Sequence, residues 1–123
     1  MAYYVKRTWT RDELTQHVGH MRQLADVRPF TYDDGRAQGM HGYHVYTGTG
    51  LSFDVFAGRA LDIGSFNYRG HALAWSSANG PVHPAYYEPN GLGWLRSFPG
   101  GLVTTCGLDQ FGAPSDDTGE TFG

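Results

Sequence analysis

Cysteine is almost absent. Cys106 stands alone among 123 residues, so no disulfide can close within the chain, which fits a reducing compartment. A strong charge of either sign is missing too. Charged residues make up 17% and the formal net charge is -3. There is no long basic run, which argues against nucleic acid and anionic membrane as partners, and the acidic excess is too mild to point to any partner. No apolar run approaches the roughly 18 residues a membrane helix needs. Met1 to Thr10 holds no apolar core of the signal-peptide kind, so the cytoplasm is the expected location. The chain has no internal repeat.

What is abundant is glycine. The 18 glycines are about twice the usual share of roughly 7%, which predicts many tight turns and few long helices. With 40% hydrophobic residues the chain reads as globular, and its length fits a single domain spanning 1–123. Thr10 and Glu13 read as a capping box. Leu14, Val18, Met21 and Leu24 follow at helical spacing, which predicts one N-terminal helix, weakened at Gly19 and ended before Pro29.

Beyond that point the signals turn to β. Asp33-Asp34-Gly35 is a turn. Tyr43 and Val45 alternate, as do Leu51, Phe53 and Val55, with Ser52 and Asp54 facing the other way. Gly48-Thr49-Gly50 lies between them as a hairpin turn, having neither the third glycine of a dinucleotide fingerprint nor the lysine of a phosphate loop. Short apolar pieces follow at Leu61–Ile63 and Ala72–Trp75. Residues 81–101 then hold four of the six prolines, with Gly91, Gly93, Gly100 and Gly101 and the aromatics Tyr86, Tyr87, Trp94 and Phe98. An irregular segment this rich in large aromatics reads as an ordered, functional loop. Leu102–Cys106 reads as a buried strand, and 112–123 as a flexible polar tail.

The candidate chemistry gathers in that loop. His83 lies at its mouth with Glu88 five residues on. A histidine and a carboxylate near tyrosines could do acid–base work on a hydroxyl, although the spacing alone favours a His83 that hydrogen-bonds the loop backbone. Arg96, between Trp94-Leu95 and Ser97-Phe98, offers several donors in one plane. It suits a pair of ring hydroxyls or a carboxylate, and equally a structural stack on Trp94. Tyr86, Tyr87 and Trp94 could form an apolar platform with polar edges, with ordinary loop packing as the competitor. Elsewhere the histidines are weak candidates. His17 and His20 share a helical face but lack a third ligand at metal-site spacing. His41 and His44 point to opposite faces of a strand, and His71 follows a turn. Cys106 has no base beside it and reads as a small strand residue. No metal and no cofactor is expected.

Several segments carry a family resemblance. They are Gly50-Leu51-Ser52-Phe53-Asp54-Val55, Arg59-Ala60-Leu61-Asp62-Ile63-Gly64, Tyr68-Arg69-Gly70 and Leu73-Ala74-Trp75. The most specific is His83-Pro84-Ala85-Tyr86-Tyr87-Glu88-Pro89 through Gly91-Leu92-Gly93-Trp94-Leu95-Arg96 and on to Thr104-Thr105-Cys106-Gly107. The chain resembles the N-terminal portion of an uncharacterised aldose-1-epimerase-like branch of the galactose-mutarotase-like superfamily. The resemblance implies a mostly β fold, a partial antiparallel β-sandwich carrying one helix. It implies a small-molecule sugar as partner, held by His83, Tyr86, Tyr87, Glu88, Trp94 and Arg96. By analogy it implies interconversion of sugar anomers through acid–base ring opening in the full-length form, with the acid and base expected beyond Gly123. A non-catalytic sugar-binding or sensing module, or an inactive fragment that self-associates through exposed sheet edges, are the alternatives. Where the family carries Asp-Arg-Gly-Leu-Asp, this chain has Gly58-Arg59-Ala60-Leu61-Asp62.

Overall fold

A computed structural model describes residues 7–104 completely, together with the backbone of three short strands outside them: β1 (Ala2–Tyr4), β10 (Ser115–Asp117) and β11 (Glu120–Phe122). The fold is mostly β, a partial β-sandwich. Its main layer is a five-stranded antiparallel sheet in the order β3 (Asp26–Thr31), β4 (His41–Tyr46), β5 (Leu51–Phe56), β6 (Asp62–Tyr68) and β7 (His71–Ala72). Against it lies a two-stranded ribbon of β8 (Trp75–Ser76) and β9 (Gly100–Gly101). β1 pairs with β2 (Arg7–Trp9), and β10 with β11. Much of the tail expected at 112–123 lies outside the described residues. No helix among them is long and apolar enough to cross a membrane.

The capping box forms as read. The Thr10 hydroxyl accepts from the Glu13 N–H at 3.2 Å, and the Glu13 carboxylate accepts from the Thr10 N–H at 2.8 Å. That backbone bond is the main reason the Glu13 carboxyl sits below its ordinary value. The helix it starts is shorter than the periodicity predicts. α1 spans only Arg11–Thr15, and a separate 3-10 turn at Met21–Gln23 is capped by the His20 ring. Gly19, with no side chain to hold a helical turn, sits in the bend between them. Leu14 and Leu24, at the two ends of the expected helix, are still the buried residues of this stretch.

β3 is a strand the sequence reading passed over, because Pro29 falls inside it, opposite Tyr43. β3 is the edge of the sheet, where a residue without an N–H is tolerated. The alternation read for β4 and β5 holds, with Tyr46 opposite Ser52 and Gly42 opposite Phe56. β6 runs well past the short piece expected at Leu61–Ile63, and Leu61 itself is exposed in the preceding turn. Ala72–Trp75 divides between two sheets. The buried strand expected at Leu102–Cys106 is also corrected. Pairing there consists of β9 and a bridge from Val103 to Ile63, Leu102 and Val103 are exposed, and Cys106 lies outside the described residues.

Register sorts the sheet into two faces. One carries Phe30, Tyr32, Gly42, His44, Asp54, Phe56, Asp62 and Gly64. It is covered by loops that bury Ala37 and Met40 against Phe56, Phe30 and Tyr32. Phe30 and Tyr32 meet edge to face at 5.2 Å. The other face carries Val45, Leu51, Phe53, Val55, Ile63 and Phe66, with Phe53 and Phe66 stacked at 5.7 Å. Between Phe53 and Val55 the register with β6 shifts. Gly64 and Ser65 there oppose the single residue Asp54, which is a β-bulge.

Candidate functional site

The 83–97 segment is an ordered loop seated on a short 3-10 turn at Gly35–Ala37. Arg36 is its anchor. Its carbonyl accepts from the His83 N–H at 2.8 Å, its guanidinium donates to the Arg96 carbonyl at 2.9 Å, and it lies 5.4 Å from the Tyr86 ring centre. From the other side, the Asn79 amide donates to the Leu95 carbonyl at 2.8 Å and the Ser77 hydroxyl to the Phe98 carbonyl at 2.6 Å. The loop is irregular because of its prolines and glycines, and side chains outside it satisfy the Leu95 and Arg96 carbonyls.

The six residues singled out from the sequence do not converge on one point. His83 caps the 3-10 turn Pro84–Tyr86, its Nδ1 accepting from the Ala85 N–H at 3.0 Å. That nitrogen is therefore an acceptor engaged with backbone. Glu88 and Arg96 form an ion pair with each other. Glu88 also lies tightly over Gly93, where an added Cβ would come within 2.7 Å of the Glu88 Cβ. Trp94 packs edge-on against Phe98 at 5.6 Å. Tyr86 turns toward Arg36, and Tyr87 alone lines a depression.

That depression, about 260 Å³, is lined by Gly58, Arg59, Ala60, Asp62, Pro84, Tyr87 and Ser97. Among these residues Asp62 is 1% exposed. The Arg59 Nε donates to the Asp62 carboxylate at 3.2 Å, and the Arg59 Nη1 donates to the Val82 carbonyl at 3.1 Å. Two of the five guanidinium N–H groups are thus committed to holding the arginine in place. Ser97 is buried and donates to the Trp94 carbonyl at 3.2 Å. Between Arg59 and Asp62 the backbone is strained. Ala60 and Leu61 are consecutive left-handed residues at φ 52° and 62°, a conformation that side chains disfavour. The strained turn directs Arg59 and Asp62 together while Leu61 is thrown outward.

Sequence reasoning quoted Arg59 and Asp62 within a motif but assigned neither a site role. It gave no role to Asp54 either. Asp54 accepts from the His44 Nδ1 at 2.6 Å and from the Ser65 hydroxyl at 2.7 Å. The signal was available, since His44 and Asp54 fall directly opposite each other on neighbouring strands. The serine bonds the aspartate rather than the histidine, so this is not the arrangement that activates a nucleophile. Nearby, burial and then the Asp54 charge raise the Tyr32 phenol above its ordinary value. Among the described residues no group of three or more His, Cys, Asp or Glu side chains is gathered for a metal ion.

Residues 37–123 match a family described as a Domain of unknown function (DUF4432). The chain belongs to the DUF4432 family. The matched region takes in the strained Arg59–Asp62 turn, the Asp54 cluster and the whole 83–97 loop, so all three features are parts of a DUF4432 domain. Among curated proteins and solved structures alike, nothing matches the chain.

Proposed function

We propose that this DUF4432 chain supplies the sugar-holding surface of a carbohydrate-binding protein of the aldose-1-epimerase-like type, within the galactose-mutarotase-like superfamily. The observation that carries the reading is the juxtaposition of Tyr87 with Arg59 and Asp62 in one depression. A sugar ring presents an apolar C–H face and an edge of hydroxyls. An exposed aromatic ring suits the first. A fixed guanidinium with uncommitted N–H groups suits the second. The sequence resemblance, strongest through the loop that contributes Pro84, Tyr87 and Ser97, supports the same assignment.

Binding rather than proton transfer is the role this part of the molecule supports. His83 spends its Nδ1 on the Ala85 N–H, and Glu88 is paired with Arg96. Neither is placed as one of two titratable groups on opposite sides of a ring.

The test is to titrate pentoses, hexoses and their acids into labelled protein and follow backbone amides by NMR, while reading anomer exchange of each sugar. Shifts clustered at residues 58–62 and 84–87, weakened about tenfold by Tyr87→Ala, are the expected result. No shift at tens of millimolar of any sugar would sink the binding assignment. Faster anomer exchange would restore catalysis to this chain.

A further inference from the structure

A second cavity, sharing no lining residue with the first, lies between the five-stranded sheet and the β8–β9 ribbon. It measures about 300 Å³, within the lower range for small-molecule sites. Its walls are mostly apolar: Phe56 on the sheet, Trp75 on the ribbon, and Pro81 and Pro99 beside it. Trp75 is 65% exposed, an unusual position for a tryptophan that does nothing but pack. Into these walls the sheet introduces a small polar group, Asp54, Ser65 and Asn67. This is the composition expected of a ligand pocket, an apolar enclosure with a few fixed polar atoms.

The chemistry of Asp54 narrows the ligand. A carboxylate has about four lone-pair sites on two oxygens. His44 takes one on Oδ1 and Ser65 takes one on Oδ2. Each oxygen therefore keeps one acceptor site, and the two are held in fixed orientation by donors on neighbouring strands. The bulge at Gly64–Ser65 makes this possible, because it brings the extra residue Ser65 to the aspartate. Two acceptor sites on the two oxygens of one carboxylate match two adjacent hydroxyls on one ring. The donor already on each oxygen offsets part of the negative charge, which favours a neutral donor pair over an ammonium ion. Trp75, Pro81 and Pro99 offer flat apolar surface for the C–H face of the same ring.

We propose that this cavity is a binding site for a cyclic vicinal diol, with Asp54 accepting from both hydroxyls and Trp75 covering the ring face. The site stands independently of the Arg59–Asp62 depression.

Cis-1,2-cyclohexanediol and a methyl glycoside, whose ring cannot open, are the probes, with cyclohexanol and cyclohexylammonium as controls. They are titrated into the full chain and followed by two-dimensional NMR. The diol and the glycoside should shift the Trp75 indole N–H and the Gly64 and Ser65 amides, and cyclohexanol should not. Asp54→Asn should weaken the diol at least tenfold. Should Asp54→Asn fail to fold, Trp75→Leu serves instead and should weaken it several-fold. Unchanged diol affinity in a folded Asp54→Asn or Trp75→Leu protein overturns the proposal. So does an equal response to cyclohexanol, or preference for cyclohexylammonium. Shifts confined to residues 58–62 and 84–87 overturn it while leaving the sugar-holding depression intact. Shifts confined to the cavity do the reverse.

Discussion

Replacing alanine by glycine ordinarily weakens a protein, and at position 60 it should strengthen this one. Ala60 sits at φ 52°, where the left-handed conformation costs an L-residue roughly 1–2 kcal/mol. Glycine removes that cost. Against it stands the greater freedom of glycine in the unfolded chain, about 0.4–1 kcal/mol. Ala60 is exposed, so its methyl group contributes little burial. The net expectation is a gain of about 0.5–1 kcal/mol, or a rise in Tm of about 2–4 °C. Urea unfolding of Ala60→Gly beside the wild type measures it. The control is Ala57→Gly, in the 3-10 turn that immediately precedes, where the same change should cost about 0.5–1 kcal/mol. Opposite signs three residues apart are the signature. If both variants lose stability alike, Ala60 does not hold the left-handed turn and the geometry offered for Arg59 and Asp62 is wrong.

Arg59→Leu removes the guanidinium bonded to an aspartate that is 1% exposed. It should cost about 3–5 kcal/mol in urea unfolding, while Arg59→Leu with Asp62→Leu recovers most of the loss. A single-variant cost under about 1 kcal/mol would contradict the buried pairing. Gly64→Ala would drive a methyl group into the Phe56 ring, and its Tm should fall markedly; an unchanged Tm would show that the bulge has room to spare. Tyr32, raised in the fold above its ordinary value of 10.0, contributes stability that is whole below pH 10 and is lost as pH climbs through its folded value. Alkaline unfolding should therefore flatten in Tyr32→Phe, and no difference between the two curves would count against the burial of the phenol. Glu13 has the opposite sign. Its lowered carboxyl contributes stability above its ordinary value of 4.5 that fades as pH falls through the folded value, and Glu13→Gln should remove that acid dependence.

The order of strands along the chain was legible where side chains alternate. Leu51, Phe53 and Val55 announce one face of β5, and Ser52 and Asp54 the other. What misled were residues whose meaning depends on position in the sheet. Pro29 reads as a breaker until β3 is known to be an edge. Leu14 to Leu24 has helical spacing, yet Gly19 and the need to reach Asp26, where β3 starts, divide it. For the site, the local reading of His83 as a backbone cap was available from the sequence and is what the fold shows. The joining of Tyr87 to Arg59 and Asp62 was not, because it depends on how a loop some 25 positions away folds back over a strained turn. Alternation places Asp54 only on the face of β5 opposite Phe53 and Val55. Its partnership with Ser65 depends on a bulge that alternation alone does not reveal.

Pro29 has one more effect. A sheet grows into fibrils when an added strand finds an unbroken row of donors and acceptors at its rim. Here one rim is β3, interrupted by a residue with no N–H and flanked by the charge of Arg28. The other is β7, only two residues long. Both are poor templates, so among the described strands this sheet is terminated in the plane of its hydrogen bonds. Its remaining capacity to associate lies across its faces, where Val45, Phe53 and Phe66 spread apolar surface that a partner layer could cover without copying a strand.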